Sequence, residues 1–153
     1  MLEFENASPE TRLSIGLYAD DYDCSGFRPV ASISKTSSKR WNTARKPYQT
    51  VSLQYMGILP HSREDSIKFS SCTVTMSFRA DDAPAYRISA GAGSALCQIN
   101  VAKRESGPDG ERWTPIQASL RTLVASLPSP PAPWCIPDAA FRDRPSSATA
   151  GAK

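Results

Sequence analysis

The sequence has no acidic residue from Cys24 to Arg63, although the chain of 153 residues contains 15 acids in all. Seven lysines and arginines lie in this stretch, whereas residues 1–23 carry six acids and one base. The two stretches have local charges of +7 and −5, against a net charge of +3 for the chain. Because a partner senses charge within a Debye length of about 8 to 10 Å, the local excess matters more than the net value. The stretch 24–63 therefore predicts an anionic partner.

The sequence also lacks a long apolar run and a secretory signal. No stretch reaches the roughly 18 apolar residues that a membrane-spanning helix needs, so no such helix is predicted. Residues 1–5 have neither the basic flank nor the apolar stretch of a signal peptide. We therefore expect the protein in the cytoplasm or in a virion, with an extracellular or periplasmic location, reached after processing, as the alternative.

The cysteines are too far apart for a metal site. Cys24, Cys72, Cys97 and Cys135 form no pair two to four residues apart, so neither zinc nor any other cofactor is predicted. Without a signal peptide, we expect four reduced thiols, with Cys72 and Cys97 packed as small apolar groups inside strands. Disulfides are the alternative, and four cysteines allow three pairings.

Alternating apolar and polar residues predict a mainly β fold. The clearest strand spans 50–56 and places Val51, Leu53 and Tyr55 on one face. Five further strands are predicted near 12–18, 28–34, 67–79, 86–88 and 96–103. The apolar positions change parity near Ser70, which predicts a bulge there. Because no helical run separates the strands, about six antiparallel strands are expected.

One amphipathic helix is predicted after the strands, over 115–127. Thr114, Pro115 and Gln117 form a capping box, and Pro128 ends the helix. The chain is then expected to form a single β-rich domain over 1–127 and a proline-rich, partly or wholly mobile segment over 128–153.

The helix carries an apolar stripe that suggests self-association. A single sheet with one helix leaves an apolar face uncovered, so a homodimer or larger assembly is predicted. The predicted dimer-interface residues are Leu120, Leu123, Val124 and Leu127.

The basic stretch is interpreted as a nucleic-acid-binding surface. Its cations are expected to contact phosphates while its aromatic rings stack on unpaired bases. The predicted binding residues are Lys35, Lys39, Arg40, Trp41, Arg45, Lys46 and Tyr48. Arg28 and Arg63 are expected to lie apart from them. The alternative is that the cations protect an exposed edge strand from association.

No catalytic signature is found, and the protein is predicted not to be an enzyme. His61 is the only histidine and lies beside Pro60 in a predicted loop, and the Gly-x-Ser-x-Gly pattern of hydrolases is absent. The cluster of Asp20, Asp21 and Asp23 does not have both the glycine at the sixth place and the closing glutamate of a calcium loop. We interpret them as turn residues that offset the basic stretch, within the fold or across a subunit contact.

The order of elements, from the strand at Arg12 to the helix at Thr114, resembles the coat proteins of small single-stranded RNA bacteriophages. The resemblance implies a one-layer sheet facing the genome, helices of two subunits that interlock, and a basic region at 35–46 that faces RNA. The leading expectation is a non-enzymatic, self-associating capsid protein that binds RNA or another polyanion.

Two other functions remain open. The first is a secreted or periplasmic β-sandwich that recognises a protein or glycan, with Cys72 and Cys97 bridged between strands. The second is a small inhibitor or immunity protein that uses its charged face against an enzyme.

Overall fold

The computed structural model describes residues 1–8, 11–58, 69–80, 82–92, 97–108, 110–124 and 134–141. Strands dominate these residues, which confirms the mainly β prediction. The strands are β1 Leu2–Asn6, β2 Thr11–Leu17, β3 Arg28–Ser34, β4 Ser37–Trp41, β5 Tyr48–Ile58, β6 Phe69–Arg79, β7 Tyr86–Ala92, β8 Cys97–Gly107, β9 Gly110–Ile116, β10 Ser119–Leu120, β11 Leu123–Val124 and β12 Trp134–Cys135.

Two five-stranded sheets pack face to face. Sheet I has the order β4-β1-β7-β8-β9, sheet II has the order β10-β6-β5-β2-β3, and β11 pairs with β12 separately. One buried cluster joins the inner faces, with Phe4 and Ile88 from sheet I against Leu13, Leu53 and Phe78 from sheet II. The described residues therefore form a β-sandwich.

The period-two pattern explains which side chains enter this core. Val51, Leu53 and Tyr55 of β5 are all buried, as predicted, because successive side chains of a strand point to opposite sides. Strand β3 has the predicted bounds. Strands β1, β4 and β9 were not predicted, and β1 pairs with β7 in parallel, so the expectation of purely antiparallel order is wrong.

The predicted bulge near Ser70 is also wrong. Strands β5 and β6 stay in continuous register from Ile58 opposite Phe69 to Tyr48 opposite Arg79, because they form one long hairpin pair. The register shift lies instead in β2 against β3, between Ile15 and Gly16.

The helix predicted over 115–127 is wrong over 115–124, which consists of the end of β9, β10 and β11. Pro115 lies in β9 at the edge of sheet I, where a missing N–H is tolerated. The backbone N–H of Arg121 donates to the carbonyl of Thr75 at 2.8 Å, which holds the chain against β6. Tertiary pairing thus overrides the local helical pattern. Residues 125–127 lie outside the described part.

Residues 134–141 lie against the outer face of sheet II. Cys135 is disulfide-bonded to Cys24, and both are buried with Tyr18 in a second cluster against which Leu123 packs. Cys72 is also disulfide-bonded. The expectation of four reduced thiols is therefore wrong, because the fold brings together cysteines that are 111 positions apart in sequence. The division of the chain at 127/128 stays a prediction.

Candidate functional site

The basic stretch folds over one edge of the sandwich. Strand β3 is the last strand of sheet II and β4 is the first of sheet I, and Lys35 lies in the short link between them. Lys35 has a φ of 64° and its N–H donates to the carbonyl of Thr11 at 3.2 Å. This left-handed residue turns the chain from one sheet to the other.

Four exposed cations lie along this edge, which we call the basic edge: Arg28 and Lys35 at opposite ends of β3, Lys39 in β4 and Arg12 in β2. None of them forms an ion pair with another described residue. The Nε of Arg12 donates to the hydroxyl of Ser32 at 2.8 Å. Positive charge therefore remains uncompensated along this edge.

Arg28 lies on the basic edge beside Trp41, although it stands at the opposite end of β3 from Lys35. Its guanidinium lies 5.9 Å from the ring centroid of Trp41, the distance of a cation–π contact. Trp41 is half-buried and packs against the core. One face of its indole is already occupied by Arg28.

Two predicted binding residues bond acids of the amino-terminal stretch instead. Arg40 lies beside the basic edge and contacts Glu3 at 3.1 Å, with its side chain 72% exposed. The Nζ of Lys46 lies 2.6 Å from a carboxylate oxygen of Asp21 and also donates to the carbonyl of Tyr18 at 3.2 Å. The acids therefore offset part of the basic stretch within the same chain, one of the two arrangements considered for them.

The remaining predicted residues do not share that surface. Tyr48 packs edge-on against Phe141 with ring centroids 5.4 Å apart. Arg45 is exposed and lines a small cavity with Met1 and Gln49. Of the seven predicted residues, the fold places Lys35, Lys39, Arg40 and the half-buried Trp41 at this edge. Arg63 and His61 lie outside the described residues.

The predicted dimer stripe is split by the strands. Leu120 is 78% exposed beside an apolar cleft between β9 and β6, and Val124 is half exposed. Leu123 packs instead against the buried cluster of Cys24 and Cys135. Leu127 lies outside the described residues, so the four side chains do not form one helical face.

A groove of about 560 Å³ lies on the outer face of sheet II. Its floor is a row of aligned residues from four adjacent strands, which we call the polar row: Ser32, Ser14, Gln54 and Thr73. Tyr18, Phe27 and Leu123 also line it. Phe27 lies over Gly16, where an added Cβ would stand 2.1 Å from the ring.

The buried Arg121 fixes the cover beside this groove. Its guanidinium donates to the carbonyls of Asp21 and Tyr22 at 2.6 and 2.7 Å, and to the hydroxyl of Ser77 at 2.9 Å. A further bond to the carbonyl of Ile136 measures 3.1 Å. The arginine therefore ties the 18–26 loop and the 134–141 segment to sheet II.

A cluster of titratable groups lies at the end of sheet I. Hydrogen bonds from Lys103 and Tyr86 lower the pKa of Asp82, and burial together with Asp82 raises the pKa of Tyr86 to about 12. A bond from Thr114 lowers the pKa of Glu105. Each shift favours the usual charge state at neutral pH, and the bonds of Asp82 join the turn before β7 to Tyr86 and to Lys103 of β8.

Comparison with known proteins gives no relative: no family model, curated protein or solved structure matches the chain. The one-layer sheet that the coat-protein resemblance implies differs from the two packed sheets seen here. Within the described ranges, no helix is long and apolar enough to cross a membrane, and no three acidic, histidine or cysteine side chains converge on a common point.

Sequence reasoning missed the groove. Its signal was present in the outward positions of β2 and β5, where Ser14, Gly16, Ser52 and Gln54 are small or uncharged. Such positions are common on any solvated sheet face. The groove also needs the walls formed by Phe27 over Gly16 and by Leu123, and the sequence gives no reason to place either residue there.

Proposed function

We propose that this protein is a non-enzymatic, disulfide-stabilised β-sandwich that binds an acidic polysaccharide along its basic edge. The proposal depends on one observation: Arg12, Arg28, Lys35 and Lys39 are exposed along one edge of the sandwich and form no ion pair with another described residue. A row of cations without bound acids attracts an extended polyanion and releases its counterions on binding.

The disulfides favour a polysaccharide over an intracellular anion. Cys24 is bonded to Cys135, and Cys72 is also oxidised. Structural disulfides persist mainly in extracellular, periplasmic or similar oxidising surroundings. In those surroundings, acidic polysaccharides are abundant polyanions. The secreted or periplasmic sandwich, one of the alternatives from the sequence, is therefore the proposed class.

Single-stranded RNA is the competing ligand. RNA binding without base pairing relies on aromatic rings on which bases stack. At the basic edge, Trp41 is half-buried and its ring already contacts Arg28. Tyr48, the other predicted stacking residue, packs on Phe141. The edge offers charge without an open stacking surface, which suits sulfate and carboxylate groups.

Salt-dependent retention on immobilised heparin, a sulfated polysaccharide, tests the proposal. The double variant Lys35→Ser/Lys39→Ser should elute at clearly lower salt than the wild type, because the affinity of a polyanion falls steeply as charge contacts are lost. The matched control is Arg104→Ser/Arg112→Ser, which removes two cations from the ion pairs of β8 and β9. Its elution should stay near that of the wild type.

Three outcomes would contradict the proposal. The wild type could pass through heparin at low salt, or both double variants could lose retention equally, which would indicate net charge rather than a site. Stronger retention on immobilised poly(U) than on heparin at the same salt would favour the RNA-binding capsid protein. A count of free thiols after denaturation without reductant should give none if the sandwich reading holds.

Self-association is a second proposal, and it now rests on an exposed leucine rather than on an uncovered sheet face. The two sheets cover each other's apolar faces, so no open sheet face requires a dimer. Leu120 nevertheless remains 78% exposed beside the cleft that contains Ile116. Sedimentation of the wild type should show a dimer that Leu120→Ser weakens. A monomer at all concentrations would exclude the homodimer.

A further inference from the structure

The groove on the outer face of sheet II has the size of a ligand site. Its volume of about 560 Å³ lies within the range of roughly 300 to 1,000 Å³ that is typical of small-molecule pockets. Strands β3, β2, β5 and β6 form the floor, so the polar row spans four neighbouring strands at a spacing of about 4.8 Å. The floor is rigid because each inner strand pairs on both sides.

We infer that this groove is a binding site for an uncharged oligosaccharide, distinct in its ligand from the basic edge, which it meets at Ser32. The first support is unused hydrogen-bonding capacity on the floor. Ser14, Gln54 and Thr73 have no side-chain hydrogen bond to another described residue, although all three are at least partly exposed. Two hydroxyls and one amide supply both donors and acceptors, as sugar hydroxyls do.

The second support is the absence of charge. None of the described residues that line the groove is acidic or basic, and Arg12 of the basic edge bonds to Ser32 at one end of the polar row. Away from that end, a charged ligand would lose hydration without gaining an opposite charge. An uncharged ligand with many hydroxyls loses less hydration free energy and can form hydrogen bonds with the side chains of the floor.

The third support is the wall. Phe27 is 37% exposed and projects over Gly16, so part of an aromatic face is available to the ligand. Tyr18 packs against Phe27 with ring centroids 5.2 Å apart and holds the ring in place. An aromatic face beside hydroxyl and amide groups suits a sugar ring, which has apolar C–H faces and polar edges.

The backbone of the floor argues against an extended peptide. A peptide that binds a sheet usually pairs its backbone with an edge strand. Strands β2 and β5 already pair with neighbours on both sides, so their backbone groups are used, and β3 could pair with a peptide only along the outer edge of sheet II. A ligand that lies across the floor therefore meets mainly side chains, which leaves recognition to hydroxyl and amide groups.

Binding to an array of neutral oligosaccharides, including glucans, mannans, galactans and chitin oligomers, tests the inference with the full chain. The best binder is then titrated by calorimetry against Gln54→Ala and Phe27→Ala. Loss of a hydrogen bond or of an aromatic contact is expected to weaken binding about 3- to 10-fold. The control is Gln98→Ala, which removes an exposed amide from β8 of sheet I and should leave the affinity unchanged.

The results separate this site from the basic edge. Oligosaccharide binding should hardly change with salt and should survive Lys35→Ser/Lys39→Ser, whereas heparin retention should survive Gln54→Ala. Failure of every neutral oligosaccharide to bind would overturn the inference. An equal loss in Gln54→Ala and Gln98→Ala, with both variants folded by circular dichroism, would also overturn it.

Discussion

The outer faces of the two sheets differ in what their side chains bond. On sheet I, Glu3 lies between Arg40 and Arg87, with contacts of 3.1 and 2.8 Å, and Arg87 stacks on Trp113 at 4.2 Å. On sheet II, the polar row carries no charge, and three of its four side chains have no described partner. The charged side chains named on sheet I bond one another, whereas the polar row of sheet II keeps side-chain hydrogen-bonding groups that a ligand could use.

The two faces also differ in how they are stabilised. Exposed ion pairs such as that of Arg112 with Glu105 contribute about 0 to 1 kcal/mol each. On the sheet II side, a buried arginine and a disulfide fix the loops that form the groove wall. We therefore expect substitutions at the exposed ion pairs of sheet I to change little, and substitutions around the wall of the groove to change stability and binding together.

Breaking the disulfide should have the largest effect. Cys24 and Cys135 are 111 residues apart, and closing a loop of that length stabilises a fold by about 4 to 5 kcal/mol in the chain-entropy account. The variant Cys24→Ser/Cys135→Ser should lose about that much unfolding free energy in urea and should lose groove binding. A loss below about 1 kcal/mol would mean that the bridge does not hold the wall.

Removing the buried arginine should rank next. Arg121→Met leaves three backbone carbonyls without this donor and the Ser77 hydroxyl with only its bond to Thr50, which should cost about 3 kcal/mol in urea unfolding. Arg112→Met, at an exposed ion pair of sheet I, should change stability by less than about 0.5 kcal/mol. If the two variants lost similar unfolding free energy, the two sheet faces would not differ in how they are stabilised.

A paired glycine substitution should give an intermediate effect. In Gly16→Ala, the new Cβ meets the Phe27 ring at 2.1 Å, so the ring must move, at a cost of about 1 kcal/mol. In Gly91→Ala on β7 of sheet I, the nearest atom lies at an ordinary 3.5 Å, and stability should hardly change. Thermal unfolding measures the loss of stability in each variant, and the NMR shifts of Phe27 measure the movement of its ring. If Gly16→Ala and Gly91→Ala gave the same loss and the same shifts, Phe27 would not rest on Gly16.

Acid should have the smallest effect, and it should act on sheet I. The pKa values of Asp82 and Glu105 are lowered in the fold, so their contribution is present above the unfolded values of 3.8 and 4.5 and is lost as the pH falls through the folded ones. Lys103→Gln should reduce this acid dependence of unfolding, mainly through Asp82, because Thr114 still lowers the pKa of Glu105. An unchanged pH profile would show that Lys103 does not contribute to the lowered pKa of Asp82.

The sequence predicted the parts of the fold that follow from local pattern. The alternation of Val51, Leu53 and Tyr55 identified β5 because burial of one strand face imposes a period of two. The helix prediction failed where Arg121 bonds partners about 100 residues away, which no local pattern encodes. Cysteine pairing failed for the same reason, since Cys24 meets Cys135 only in the fold.

The sequence predicted some of the charged residues of the candidate site but not where the fold places them. The acid-free stretch indicated Lys35 and Lys39, which lie on the basic edge. It also indicated Lys46, but the contact with Asp21 uses that charge inside the fold. Arg28 was missed because the position of Trp41 beside it depends on how two sheets meet.

The most direct test of this account is to map heparin-derived oligosaccharides onto the ¹⁵N-labelled protein by NMR. The account predicts shifts at Arg28, Lys35 and Lys39 that disappear as salt rises, while Arg104 and Trp113 of sheet I stay unmoved. Shifts that cluster on the outer face of sheet I, or none at low salt, would contradict the claim that the basic edge is the anion-binding site.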